Sequence, residues 1–472
     1  MNAPQIPIAI LGAGPAGLGA AFRLARREGF DVTVVERGAT VGGNAGSFSL
    51  AGMQVDYGSH RLHPSCAAEI LADIRTMLGD TLLDRPRHGR IRLRGRWVHF
   101  PLKPADLAMH LPPSFLLGVA GDSVRKLAGR GHADTFAAVL RQGLGPTICN
   151  DFYFPYARKI WGVDPELLDA EQARRRVSAG SLLKMARKVL NAVPGIEKKG
   201  GGRFYYPKHG YGAIAEAYRK SAEGAGAHFR FRTSVAAVET AGGRVQAVQV
   251  SGPEGAARLE VKQALSTIPV SQLARLIQPA APEVVQAAAC ALQFRAMILI
   301  YLVLGTEQFT EYDAHYFPDA DVSITRLSEP KNYGLAANPG RTVLCAELPC
   351  SVEDAVWRAG DSQLAHVVTQ ALEQAGLPVR CPVLEVVSRR LPQAYPIYTR
   401  HYRESFETMD RWLSAIGGLV TFGRQGLFAH DNTHHALAMA YALDGCLSAD
   451  GSLDMEAWKA CRRDFEKHVV ED

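Results

Sequence analysis

Apolar residues run unbroken from Ile6 to Leu11, recur at helical spacing from Leu18 to Arg27, and return in the run DVTVVE that ends at Glu36. That order predicts a buried strand, a helix and a second strand. Farther along, RIRLRGRWVHFPL at 90–102 alternates like a strand pair, and 103–195 reads largely as helix with a break near Gly143 to Pro146. NAVPGIEKKGGGR at 191–203 reads as a loop, and 228–252 as strands with a Gly-Gly hairpin turn. A strand running into a helix is expected over 263–277. Strands of a second sheet are expected at MILIYLVLG and RTVLCAEL between Ala296 and Leu348, and a final strand, loop and helix over 417–447. No internal repeat interrupts this order.

The first strand-to-helix turn carries G-x-G-x-x-G at Gly12, Gly14 and Gly17. In that spacing the first glycine makes the tight turn, the second lets a pyrophosphate approach the backbone, and the third lets helix pack on strand. The helix N-terminus offers free N–H groups to the phosphates. Glu36 closes the second strand about 20 residues on, where a ribose hydroxyl needs an acceptor. The alternative is an ordinary turn and a surface glutamate.

Composition narrows the class. The 472 residues, 47% of them hydrophobic, allow two or three domains with ordinary cores. The charge of +6 from 53 basic and 47 acidic residues is too small and scattered for a nucleic-acid partner. ARRRV at 173–177 and EKKGGGR at 197–203 are expected as solvated faces or loops, with a basic site for an anionic substrate as the alternative. Eight cysteines without a C-x-x-C pair suit reduced thiols in a cytoplasmic protein and give no metal-ligand spacing. A core strand opening at Ile6 is taken as leaving no room for a secretory leader. ADLAMHLPPSFLLGVAGDSV at 105–124, broken by prolines, histidine and aspartates, is no transmembrane helix; a packed amphipathic helix is expected, with peripheral membrane contact as the alternative.

A plain dehydrogenase has one continuous nucleotide domain. Here strand pairs at 228–252 and the C-terminal strand–loop–helix complete the first domain from a distance, which favours FAD over NAD. The expected fold is α/β, with a Rossmann-like FAD-binding domain built from 1–90, 203–275 and 416–472. A substrate domain takes 91–202, mainly helical, and 276–415, the second antiparallel sheet.

VVERGATVGGNAGSF followed by VDYGSHRLHPS resembles the opening of UDP-galactopyranose mutases and, more broadly, of the flavin amine oxidase and protoporphyrinogen oxidase-like superfamily. GRWVHFPLKP at 95–104, FYFPYARKIWGVDPELL at 152–168, RFYYPKHGYGAI at 203–214, RLSEPKNY at 326–333, QAYPIY at 393–398 and FGRQGLF at 422–428 extend the resemblance over almost the whole chain. It implies FAD as cofactor and a small-molecule substrate. His60 falls at the flavin face and His63 at the second histidine of the bacterial pattern, while Trp161 lines the substrate cleft. Arg326 and Arg424 lie near flavin and sugar diphosphate, with Tyr395 and Tyr398 also at the substrate. The helix N-terminus around Asp431 to His434 points its dipole at the flavin pyrimidine end, where it stabilises an anion. Gly43, Asn44, Val235, Asp431 and Thr433 complete the cofactor-binding set.

Chemistry gives these residue types independent sense. Paired phosphates favour the planar fork of arginine, and His60 could tune the flavin or relay a proton near pH 7. Each has a structural alternative: hydrogen-bonded histidines, a core tryptophan, packing tyrosines at 205, 206, 395 and 398, an Arg326 paired to a carboxylate. The adjacent histidines of NTHH at 432–435 point to different helix faces, which argues against a metal.

The chain also departs from the mutase pattern. Phe428 stands where bacterial mutases carry a tyrosine that donates to the diphosphate, and such a hydroxyl contact is worth about 1.5–3 kcal/mol. Tyr395 and Tyr398 are the candidates to replace it. Three functions are compatible with the residues: an FAD-dependent oxidoreductase of the mutase-like branch acting on a small, anionic or glycosylated metabolite; a non-redox mutase interconverting pyranose and furanose forms of a UDP-sugar through a flavin N5 adduct; and a non-catalytic FAD-binding protein.

Overall fold

The computed structural model describes residues 5–125, 133–176, 202–334 and 338–470. Ile6–Leu11 and Phe30–Val35 pair in parallel, and the chain returns to their sheet three times. Leu419–Thr421, Gln263–Ser266, Ile6–Leu11, Phe30–Val35 and His228–Arg230 form one five-stranded parallel sheet in that order. Parallel strands need both faces covered, hence the near-continuous apolar runs. The expected return of distant segments is therefore seen, although His228–Arg230 joins the parallel sheet rather than the hairpin. That hairpin is Ser234–Ala241 with Arg244–Gly252, turning at Gly242 and Gly243 as expected.

The helix Pro15–Leu24 begins earlier than its apolar spacing indicated, because Pro15 fits the first helical position. Its small residues let a second helix come close. A Cβ on Gly19 would meet Ala440 at 2.9 Å, within the closing helix Thr433–Cys446. Tyr218 from Ala213–Gly224 then packs edge-on against Phe22, with ring centroids 4.9 Å apart.

The second sheet has seven strands. From one edge they are Val383–Ile397, Gln293–Leu304, Thr342–Cys350, Arg326–Ser328, Ala314–Tyr316, Gly89–Leu93 and Arg96–Phe100, antiparallel except where Ala314–Tyr316 meets Gly89–Leu93. The strand pair read from 90–102 thus joins the sheet read from 296–348. Helices Pro104–His110, Pro113–Arg125, Phe136–Leu144, Phe154–Trp161 and Ala170–Arg176 match the helical pattern of 103–176, and residues 177–201 of that expectation lie outside the described ones. Within the stretch read as amphipathic, Leu107, Leu111, Phe115 and Val119 are buried, whereas Met109 and Leu117 are exposed. No helix among the described residues is long and apolar enough to cross a membrane. Helices Glu283–Ala291 and Tyr402–Ser414, inside 276–415, pack behind the parallel sheet in one core with Ala9 and Leu11.

Gly17 fixes how the first helix meets its strand, since a Cβ there would stand 1.9 Å from the Gly12 carbonyl oxygen. Backbone atoms cannot yield as a flexible side chain does. Gly17→Ala is expected to destabilise even the cofactor-free protein by about 1–3 kcal/mol, read as a lower urea midpoint; an unchanged midpoint would show that the helix can shift freely.

Candidate functional site

A cleft of about 720 Å³ opens where the parallel strands end. Gly12, Glu36, Thr267 and Gly423 line it from the carboxyl ends of four parallel strands, the usual ligand position in an open α/β sheet. The long sheet supplies Met297, Arg326 and Glu347 to the same space.

At the nucleotide end the glycines divide their work. Gly12 has φ +101°, and a Cβ there would strike Thr267 Oγ1 at 2.6 Å. A Cβ on Gly14 would meet nothing within 4 Å, so the free space before the helix N-terminus is ligand-sized rather than packed. Gly17 lies under the helix and does not line the cleft. Glu36 accepts N–H bonds from Ala13 at 2.8 Å and Gly38 at 2.7 Å, which fix its carboxylate beside the cleft. Gly43, Asn44, Val235, Asp431 and Thr433 also line the wall. An open cradle at a helix N-terminus with an oriented carboxylate beyond it fits a dinucleotide.

Asn432 caps the closing helix, bonding the N3 backbone while His435 Nδ1 accepts from the Asn432 N–H. Burial alone would raise the Asp431 carboxyl. Interactions with the imidazoles of His435 and His468 outweigh that and hold it well below the usual carboxylate range. Asp431, His435 and His468 could together approach one ion, but His468 Nδ1 is already bonded to Asp431 Oδ1 at 2.9 Å.

His60 lines the cleft, with its ring stacked on Tyr211 at 5.4 Å between centroids. Burial, reinforced by the nearby charges of Arg326 and Arg424, pushes its imidazole down to about 4. That shift disfavours the protonated ring and bears on its expected part as a proton relay.

The two candidate arginines differ in their partners. Arg326 donates Nε to Glu347 Oε1 at 2.8 Å and brings Nη2 to 2.7 Å of the same oxygen. That oxygen also accepts the Ser59 N–H at 3.0 Å, tying the segment that carries His60 to the long sheet. Arg424 makes no ion pair among the described residues. Its Nη2 donates to the Ala394 carbonyl at 2.7 Å, its Nε is buried without a partner, and its guanidinium lies 5.3 Å from the Tyr395 ring. Arg176 approaches the same ring at 5.3 Å, so Tyr395 separates two cations on the cleft wall.

Other expected residues lie outside the cleft lining. Trp161 is 5% exposed and packs edge-on against Phe136 at 5.3 Å. Tyr398 is buried, stacks on Tyr402 at 4.0 Å and donates its hydroxyl to the Phe428 carbonyl at 2.8 Å. His63 accepts from the Ser65 N–H at 3.1 Å. Phe428 adopts φ +48° and turns its ring into the core, 5.0 Å from Phe294. The Phe428 ring thus packs in the core beside Phe294, Tyr398 and Tyr402 and does not line the cleft.

Several lining residues were missed by sequence reasoning. Arg61, between the two histidines, pairs with Asp313 at 3.3 Å. Glu347 is the one charge inside the apolar run TVLCAELPC, a signal that could have found it. The run ARRRV is no uniform solvated face: Arg174 is exposed, Arg175 is buried against Glu171, and Arg176 lines the cleft.

Comparison with known proteins places this geometry. The flavin containing amine oxidoreductase family matches residues 15–437. A zeta-carotene-forming phytoene desaturase of Myxococcus xanthus is 27% identical over 270 residues, which is 52% of this chain and 51% of the desaturase, so the match spans about half the length of that relative. Reduced UDP-galactopyranose mutase shares the fold at a TM-score of 0.81 and 20% identity, covering 99% of this chain and 100% of the mutase. A protoporphyrinogen oxidase-like protein of Exiguobacterium sp. 255-15 does so at 0.71 and 17% identity, covering 94% and 99%. At such identities the likeness to solved structures shows the fold alone. The chain belongs to the flavin containing amine oxidoreductase family, and its cofactor is FAD.

Proposed function

We propose that this chain is an FAD-dependent oxidoreductase of the mutase-like branch whose substrate is a small anionic or glycosylated metabolite. Arg424 carries the reading: a buried guanidinium on the cleft wall that makes no ion pair among the described residues and leaves its Nε without a hydrogen-bond partner. A buried charge without a partner is costly. An anionic substrate group relieves that cost, whereas a hydrocarbon would leave Arg424 and Arg176 facing an apolar ligand.

When bound, FAD supplies the redox chemistry. The chain's residues bind and orient. Gly14 and the first helix N-terminus receive the pyrophosphate, Glu36 accepts ribose hydroxyls, and the N-terminus of Thr433–Cys446 turns its positive dipole end to the cleft. Neutral His60 presents a polar edge without adding charge, while Arg326, already neutralised by Glu347, shapes the wall. Tyr395 spaces the two substrate-binding cations. Trp161 supports Arg176 from behind, with the guanidinium 5.8 Å from its ring, and Tyr398 steadies the backbone after Arg424 through Phe428.

A second reading, interconversion of pyranose and furanose forms of a UDP-sugar with FAD kept reduced, is favoured by the position of Phe428. Because its ring faces the core, the missing hydroxyl does not by itself argue against a diphosphate in the cleft. Dithionite-reduced protein, given UDP-galactofuranose without oxygen, should then release UDP-galactopyranose with the flavin still reduced at the end. Absence of conversion, together with bleaching of the oxidised flavin by an anionic metabolite in a separate oxygen-free sample without dithionite, would leave the oxidoreductase reading standing alone.

Two substitutions separate cofactor from substrate. Gly14→Val has room in the empty cradle, so the protein should fold normally yet purify colourless; full FAD occupancy would remove the pyrophosphate from this turn. Arg424→Gln should keep FAD but lose about 1.5–3 kcal/mol of substrate interaction, roughly a 10- to 150-fold fall in kcat/KM. Unchanged kinetics would take Arg424 out of the substrate site.

A further inference from the structure

We propose that Cys446 and Cys461 are a redox pair, oxidised by hydrogen peroxide to a disulfide that staples the final helix to the closing helix and holds the C-terminal strap on the FAD cleft. Their Sγ atoms lie 3.9 Å apart as thiols. A disulfide needs about 2.05 Å, so turning two side chains closes most of the gap. Cys446 ends the closing helix Thr433–Cys446, and Cys461 lies on the final helix Met455–Phe465.

Exposure sets the order of events. Cys461 is half-buried and meets peroxide first, while Cys446 is buried. The Cys461 sulfur gives two electrons to the O–O bond, yielding a sulfenic acid and one water. The Cys446 sulfur then attacks the Cys461 sulfur, the S–O bond breaks, and the Cys446 proton leaves with the hydroxyl as a second water. Burial pushes the Cys446 thiol up to about 12, which keeps it from being the first of the two oxidised; its attack on the sulfenic acid rests on the proximity of the two sulfurs.

Trp458 and Phe465 root the final helix in the main core, at the base of the last described residues. There the chain doubles back as a strap: Arg175 Nη1 donates to the Phe465 carbonyl at 2.9 Å, and the Val470 N–H donates to the Arg175 carbonyl at 2.8 Å. His468 reaches Asp431 at 2.9 Å, and Val470 itself lines the cleft. One short segment thus joins the helix carrying Arg176 to the helix N-terminus at the cofactor. A staple at its root limits how far it can lift.

FAD-loaded full-length protein is treated with hydrogen peroxide, alkylated and digested with trypsin. The expected product is residues 425–459 disulfide-linked to residues 460–462, reversed by dithiothreitol and absent from Cys461→Ser. FAD dissociation from the oxidised protein should be several-fold slower than from peroxide-treated Cys461→Ser. Recovery of Cys446 as a free thiol while Cys461 is trapped as a sulfenic acid would overturn the pair. A linked peptide with FAD dissociation equal to that of the variant would overturn the strap.

Discussion

The approach of the first helix to the first strand, with Gly17 against the Gly12 carbonyl, is the constraint on which the site rests. It brings the N-terminus of Pro15–Leu24 to the end of the parallel sheet, where unsatisfied N–H groups and the helix dipole favour an anion. The small face of that helix then admits Thr433–Cys446 at close range, so a second helix N-terminus arrives at the same cleft. Two helix starts and four strand ends converge because one side chain is missing.

Charge is distributed unevenly around that convergence. Arg326 is paired with Glu347, and the same carboxylate oxygen holds the Ser59 N–H, so this pair ties the segment carrying His60 to the long sheet. Arg424 has a carbonyl and an aromatic ring but makes no ion pair among the described residues. Equal residue types on one wall therefore have unequal roles. Cations near His60, together with its burial, keep that imidazole neutral, which leaves orientation and polarity as its contribution.

The end of the described chain is part of the same arrangement. Arg175, His468 and Asp431 link the helical segment, the strap and the closing helix through hydrogen bonds among buried and partly buried groups, where solvent competes less with such bonds. The helix carrying Arg176 and the N-terminus of the closing helix are thus joined at the cleft through a few named contacts.

Local rules made the nucleotide half legible. Glycine spacing, the apolar runs and Glu36 depend on backbone geometry within about 30 residues, and the parallel sheet forms where those runs indicated. Departures from the mutase motif were legible as residue identities, but their consequence was not: only the packed core shows that Phe428 turns away from the cleft. Trp161 and Tyr398 are likewise drawn into apolar clusters by burial that no motif encodes. Which arginine finds a carboxylate depends on strand register, as in the pairing of Arg326 opposite Glu347. The sequence by itself determined the FAD cradle, because a backbone turn is a local matter. Tertiary structure decided the charge of the cleft wall, because ion pairs and burial are set by residues far apart in the chain.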